Sequence, residues 1–196
     1  MDNIKLNMFE RISLWWKFDG RYYHKDFING VKNLIKWFPV IWKDRDWDNH
    51  YIYEIIGKKL THQAKYIGDN DRHTMSKRDS ERMRLVVKLI KLQQDEFYNM
   101  EYADYHNSNY NWLDVEDNPE LKELDIELVD ENFDDFFKKY PIQYKKVMSG
   151  ELNRYNRPIE EKEKKLIAME IAHENQDRCH KLLFKIMERN IDCWWD

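Results

Sequence analysis

A chain of 196 residues with only five glycines and four prolines has few places at which to turn. An all-β fold needs a turn signal about every 8–12 residues, so this scarcity points away from one. Long helices are the natural alternative, because Lys, Glu, Leu, Ile and Met are abundant and lose little on entering a helix. Apolar residues at a 3.6-residue period bear this out along most of the chain. Ile4, Met8, Ile12, Trp15 and Trp16 mark a first helix to Phe18, closed by Asp19-Gly20. Phe27, Val31, Leu34, Ile35 and Phe38 mark a second over Tyr22–Phe38, which Pro39 should stop. A third begins near Trp47, with Asp48 or Asn49 as its cap, and carries Ile52, Ile55, Ile56, Leu60 and Ile67. The spacing predicts a long fourth helix over Thr74–Tyr105, built on Met83, Val86, Val87, Ile90 and Phe97.

From Tyr110 to Asp130 the pattern weakens, and Leu121, Leu124, Ile126 and Leu128 partly alternate with acids. A short strand or an irregular acidic loop fits there. Two short helices follow, at about Asn132–Lys139 and Pro141–Met148. Pro158, with Glu160 and Glu161 after it, then opens a long last helix through Ile167, Ile171, Leu182, Phe184, Ile186 and Met187. The expected fold is all-α: a bundle of about six helices, two of them long, in one domain spanning 1–196, with a less regular acidic insert near 107–130.

Charge narrows the class of function. The net charge is −4, but it is unevenly spread. Residues 1–100 hold 19 Lys/Arg against 14 Asp/Glu, a balance of +5, whereas residues 101–140 hold 3 against 13, a balance of −10. One part of the chain attracts anions and another repels them, so general nucleic-acid binding is disfavoured. No run of about 18 apolar residues exists, so no transmembrane helix and no membrane partner is expected. Met1–Phe18 lacks the pattern of a signal peptide. Cys179 and Cys193, about four helical turns apart, are too distant to bridge. Reduced thiols and a cytoplasmic setting follow.

Four stretches resemble uncharacterised proteins encoded by tailed bacteriophages. They are the run from Trp15 to Phe27 (WWKFDGRYYHKDF), the run from Trp37 to Asp48 (WFPVIWKDRDWD), Asp71-Arg72-His73-Thr74, and the ending Asn190 to Asp196 (NIDCWWD). The likeness covers the first 105 residues and the last 25. It implies a phage protein made in the host cytoplasm and carries no established activity.

Two basic clusters are the candidate ligand contacts. The first is Trp16, Arg21, Tyr22, His24, Lys25, Lys43, Arg45 and Trp47. Aromatic faces stack on bases while neighbouring cations hold phosphates. The plainer alternative is core tryptophans with charges paired on the surface, and the alternating signs of Lys43-Asp44-Arg45-Asp46 suit it. The second cluster is Arg72, His73, Lys77 and Arg78 with Arg82, entering the fourth helix, and Lys65 stands nearby in sequence. Cations crowded at a helix N-terminus oppose its dipole, and a bound anion would relieve that. A solvated first turn capped by Asp71 is the alternative.

Acidic pairs suggest a different chemistry. Glu101 with Asp104, and Glu174 with Asp177, each follow a Glu-x-x-Asp spacing that puts both carboxylates on one helical face. Such pairs resemble the all-α nucleotide pyrophosphohydrolases, and that resemblance implies Mg²⁺ held against a nucleoside triphosphate. The partner Glu-x-x-Glu motif of that family is missing, since 97 is Phe and 98 is Tyr. The seven histidines form no His-Glu-x-x-His, and neither a phosphate-binding Gly-rich loop nor a Gly-x-Ser-x-Gly elbow is present. Cys193-Trp194-Trp195 must be covered by the core or by a second subunit. The leading expectation is a non-enzymatic phage accessory protein that binds a small phosphorylated ligand, such as a nucleotide-derived defence signal, and sequesters it. It needs no cofactor, and a homo-oligomer is open. A Mg²⁺-dependent hydrolase and a protein-partner or structural role are the alternatives.

Overall fold

The computed structural model describes residues 7–45, 47–48, 50–115, 118–155 and 157–194, with the side chains at 21, 115, 118–120 and 128 left out. It is mostly helical, with one antiparallel pair of strands. The chain divides into two compact units, residues 1–55 and 56–196.

In the first unit, α1 (Met8–Trp15) opens on a capping box: Asn7 Oδ1 accepts from the Glu10 backbone, and Glu10 returns a bond to the Asn7 backbone. The expected stop at Asp19-Gly20 does not occur. A π-helical turn over Trp16–Gly20 leads straight into α2 (Arg21–Ile41). Gly20 keeps a helical φ of −60° and fits because it has no Cβ, which would lie 2.9 Å from ring carbons of Trp15 and Trp16. Nor does Pro39 stop α2, which runs through it to Ile41. A proline near the end of a helix sacrifices one hydrogen bond, and the last turn tolerates this.

α3 (His50–Asn70) starts where Asp48 Oδ1 accepts from the His50 backbone, so Asp48 is the cap. Asn49 lies outside the described residues. From residue 56 onward, α3 buries Leu60, Ala64 and Ile67. A tight turn at Asp71–Met75 returns the chain into α4 (Ser76–Gln94). Ser80 Oγ donates to the Ala64 carbonyl at 2.8 Å, and a Cβ on Gly68 would lie 2.6 Å from the same Oγ.

The single long helix expected over 74–105 is interrupted. α4 ends at Gln94, Glu96 takes a left-handed φ of 47°, and α5 (Phe97–Met100) and a 3₁₀ segment (Glu101–Tyr105) follow. A non-glycine residue in that conformation costs about 1–3 kcal/mol and leaves no mark in the sequence.

The all-α expectation is corrected at the acidic insert. β1 (His106–Val115) and β2 (Asn118–Glu131) pair antiparallel. Tyr110 stands opposite Ile126 and Trp112 opposite Leu124, the aromatic–aliphatic cross-strand pairs that stabilise a ladder. Alternate positions on the other side pair Asn109 with Glu127 and Asn111 with Asp125. The period of two was present, but the surplus of acids masked it.

α6 (Phe133–Lys139) and α7 (Pro141–Met148) fall where expected, with Pro141 in the first turn of α7. The last helix starts later than Pro158. Arg157 pairs with Glu163, whose Oε2 also accepts from the Glu160 backbone, holding residues 157–163 as a loop. α8 (Lys164–Asn190) then runs against α4, α5, α6 and α7. Phe133, Phe136, Phe137, Val147, Ile167, Ala168 and Ile171 form the core beside its first half. Met83, Val86, Cys179 and Leu183 are buried along α4 and the second half of α8. Trp194 is buried as well, and its carbonyl accepts from Gln63 Nε2 at 2.9 Å, so this tryptophan docks on its own unit. Trp195 lies outside the described residues. Cys179 is buried and Cys193 exposed, both as free thiols.

Candidate functional site

At the start of α4, the crowd of cations meets an anion the chain carries itself. Asp79 is 1% exposed. Arg78 Nε donates to its Oδ1 at 2.9 Å, and Arg82 Nη1 lies 3.7 Å from the same oxygen. Arg82 also reaches Asn190 Oδ1 on α8. Arg72 places its guanidinium 4.6 Å from the Tyr66 ring centroid. His73 Nδ1 accepts from the Met75 backbone, and Ser76 Oγ donates to Asp71 Oδ1. The negative charge that relieves the helix dipole is therefore Asp79, with Asp71 in the turn. Lys65 and Lys77 stay on the surface.

The aromatic-basic cluster of residues 15–47 belongs to the first unit. Trp16 and Trp47 are exposed, and Trp15 and Trp16 rest ring to ring at 6.1 Å. Lys25 Nζ sits 5.7 Å from the Tyr22 ring. Arg45 Nη1 donates to the Asp44 carbonyl, and His24 and Lys43 are exposed. The side chain of Arg21 lies outside the described set. These tryptophans are surface residues, not core.

The four carboxylates of the hydrolase alternative are mostly committed elsewhere. Glu101 is buried, paired with Lys139, and accepts from Tyr140 Oη at 2.6 Å. Asp177 is exposed and bound by Arg154 Nη2 at 2.6 Å, while Asp104 faces solvent and Glu174 is half-buried. Among the described residues, no three His, Cys, Asp or Glu side chains converge as metal ligands. With Glu101 and Asp177 neutralised by lysine and arginine, these residues do not fit a Mg²⁺ centre.

A better-formed site lies where α8 passes the end of α4, α5 and the α6–α7 corner. A cavity of about 460 Å³ opens there. Leu89, Cys179 and Leu182 are its apolar lining, and the Cys179 thiol donates to the Leu89 carbonyl at 3.7 Å. Burial pushes that thiol's pKa up, so it stays protonated and inert at neutral pH. Tyr98 and Tyr140 supply aromatic walls. Burial raises the pKa of both phenols; for Tyr140 the hydrogen bond to Glu101 adds to this, and for Tyr98 the neighbouring Cys179 and Glu101 do. Both therefore line the cavity as neutral donors. The Glu101–Lys139–Tyr140 contact fixes the Tyr140 ring in place.

Polar and charged groups complete the lining. Arg178, Lys181 and Lys185 stand on one side of α8, spaced three and four residues apart. Gln143 and Asn175 are buried amides on the same cavity. Asn175 is only 7% exposed, and its Nδ2 has no hydrogen-bond partner among the described residues.

None of the tyrosines, amides or cations that line this cavity was singled out from the sequence as a ligand contact. The three cations do repeat at helical spacing in the last helix, which was a usable signal. Tyr98, Tyr140 and Gln143 come from distant segments, and no spacing rule could join them to α8. No known family model matches the chain, and no curated protein or solved structure is significantly similar to it.

Proposed function

We propose that the protein binds a small phosphorylated ligand in the cavity between α8, α5 and the α6–α7 corner. The reading is carried by one observation: a cavity lined by Tyr98, Tyr140, Gln143 and Asn175 has Arg178, Lys181 and Lys185 together on its rim. Three cations on one helical face favour a multiply charged anion such as a phosphate group, and arginine adds a bidentate fork. Tyr98 and Tyr140 suit a planar ring, and Gln143 and Asn175 suit its hydrogen-bonding edge. A nucleotide or a nucleotide-derived signal combines those features, and the volume accommodates one. In the phage setting that the sequence resemblance implies, sequestering such a signal is the role this binding would serve.

Thermal unfolding against inorganic pyrophosphate and a panel of nucleotides tests the proposal. A ligand at 100 times its dissociation constant stabilises by about 2.7 kcal/mol, a clear shift in midpoint. Arg178→Ala/Lys181→Ala should abolish the shift without lowering the unliganded midpoint, since both side chains are exposed. Arg72→Ala should keep it. A shift that survives Arg178→Ala/Lys181→Ala would place binding elsewhere, and no shift with any phosphorylated compound would remove the proposal.

A further inference from the structure

Within the described residues of its own unit, α2 leaves a broad apolar side uncovered. Phe27, Ile28, Leu34, Ile35, Phe38 and Trp42 all lie in the open, with Leu34, Ile35 and Trp42 at 69%, 70% and 72% exposure. At 100° per residue these six fall within an arc of about 120°. Lys25, Lys32 and Lys36 fall together within about 40° along one flank of that arc, beginning about 40° beyond Ile28. Asp26 is the one acid on the helix, and residues 21–45 hold six Lys/Arg against two Asp. Phe38 and Trp42 lie 5.2 Å apart, ring to ring, near the helix end.

We infer that α2 seats on an anionic lipid surface, parallel to the plane of the bilayer, with its apolar side in the headgroup region. This is independent of the ligand cavity. A helix whose Phe- and Trp-bearing apolar side is flanked by a row of lysines is the form that lies in a membrane interface. Its 21 residues are long enough to span, yet no helix of the described residues is apolar enough to cross. Attachment is therefore to the surface. Charge selects this occupant over a second copy of the chain, which would bring three more lysines beside the same seam with one aspartate to answer them. An anionic headgroup layer complements the lysine row directly.

The test is co-sedimentation of the full chain with vesicles of phosphatidylcholine alone or with phosphatidylglycerol. The expected result is at least tenfold stronger binding to phosphatidylglycerol-containing vesicles, weakening as salt rises. Leu34→Glu/Phe38→Glu should abolish binding to both, and circular dichroism should show the helix content of the free protein unchanged, because both side chains are exposed. Lys32→Glu/Lys36→Glu should remove the preference for phosphatidylglycerol. Absence of vesicle binding overturns the inference, as does binding that Leu34→Glu/Phe38→Glu leaves intact. A dimer in light scattering that this variant dissociates, with no vesicle binding, would assign the surface to a second copy instead.

Discussion

Two helices, α2 and α8, show the same helical spacing of apolar residues and meet different fates. On α8, Ile167, Ile171 and Leu183 are fully buried, because α4, α5, α6 and α7 close over them. On α2, Leu34, Ile35 and Phe38 remain exposed. Periodicity states which side of a helix is apolar; it does not state what covers that side. Where other elements of the same unit supply the cover, the stripe is core. Where none of the described residues of that unit does, the stripe stays on the surface.

The sharpest way to test this contrast is to truncate both stripes and compare. Ile171→Ala or Phe136→Ala should destabilise by roughly 3–4 kcal/mol, read as a lower urea midpoint, since each leaves a cavity in a packed core. A smaller loss would mean that the core around α8 relaxes into the space. Next in size is Glu101→Ala, which leaves Tyr140 and Lys139 without their acceptor beside the cavity. About 2 kcal/mol is expected, with Glu101→Gln losing less because it still accepts from Tyr140.

Below these comes the exposed Arg157–Glu163 pair that holds the loop before α8. The Arg157 hydrogen bonds, then the Glu160 backbone, draw the Glu163 pKa down to about 2. A carboxyl depressed on folding stabilises above its unfolded pKa and loses that contribution as pH falls toward the folded value. The stability difference between wild type and Glu163→Gln should therefore shrink between about pH 4.5 and pH 2. A constant difference across that range would mean that the carboxylate does not matter there. Smallest is Leu34→Ala on α2, expected to change stability by no more than about 0.5 kcal/mol. A loss near that of Ile171→Ala would show that the α2 stripe is covered after all, and the contrast would collapse.

Much of the helical order was legible. The stripe of α2, the Asp48 cap of α3, Pro141 at the start of α7 and the buried Trp194 all follow from local rules that residues state for themselves. The break at Glu96 was not legible, because a left-handed glutamate has no sequence signature. The hairpin was half legible: Leu124, Ile126 and Leu128 alternate, but their partners Trp112, Tyr110 and Ser108 are recognisable only once the strands pair. The basic cluster of 72–82 was legible as charge and not as chemistry. Its burden falls on Asp79, whose burial is a property of the tertiary packing that spacing does not state. The cavity on α8 joins positions 98, 140, 143 and 175–185, and that convergence is a property of the tertiary fold alone.

The most direct measurement is amide chemical-shift mapping with whichever phosphorylated compound raises the unfolding midpoint. The largest perturbations are predicted at Asn175–Lys185, with Tyr98, Tyr140 and Gln143 moving together, and with Arg72–Arg82 and Trp15–Trp47 nearly still. Perturbations centred on either of those basic clusters, with 175–185 silent, would contradict the assignment of the site to α8.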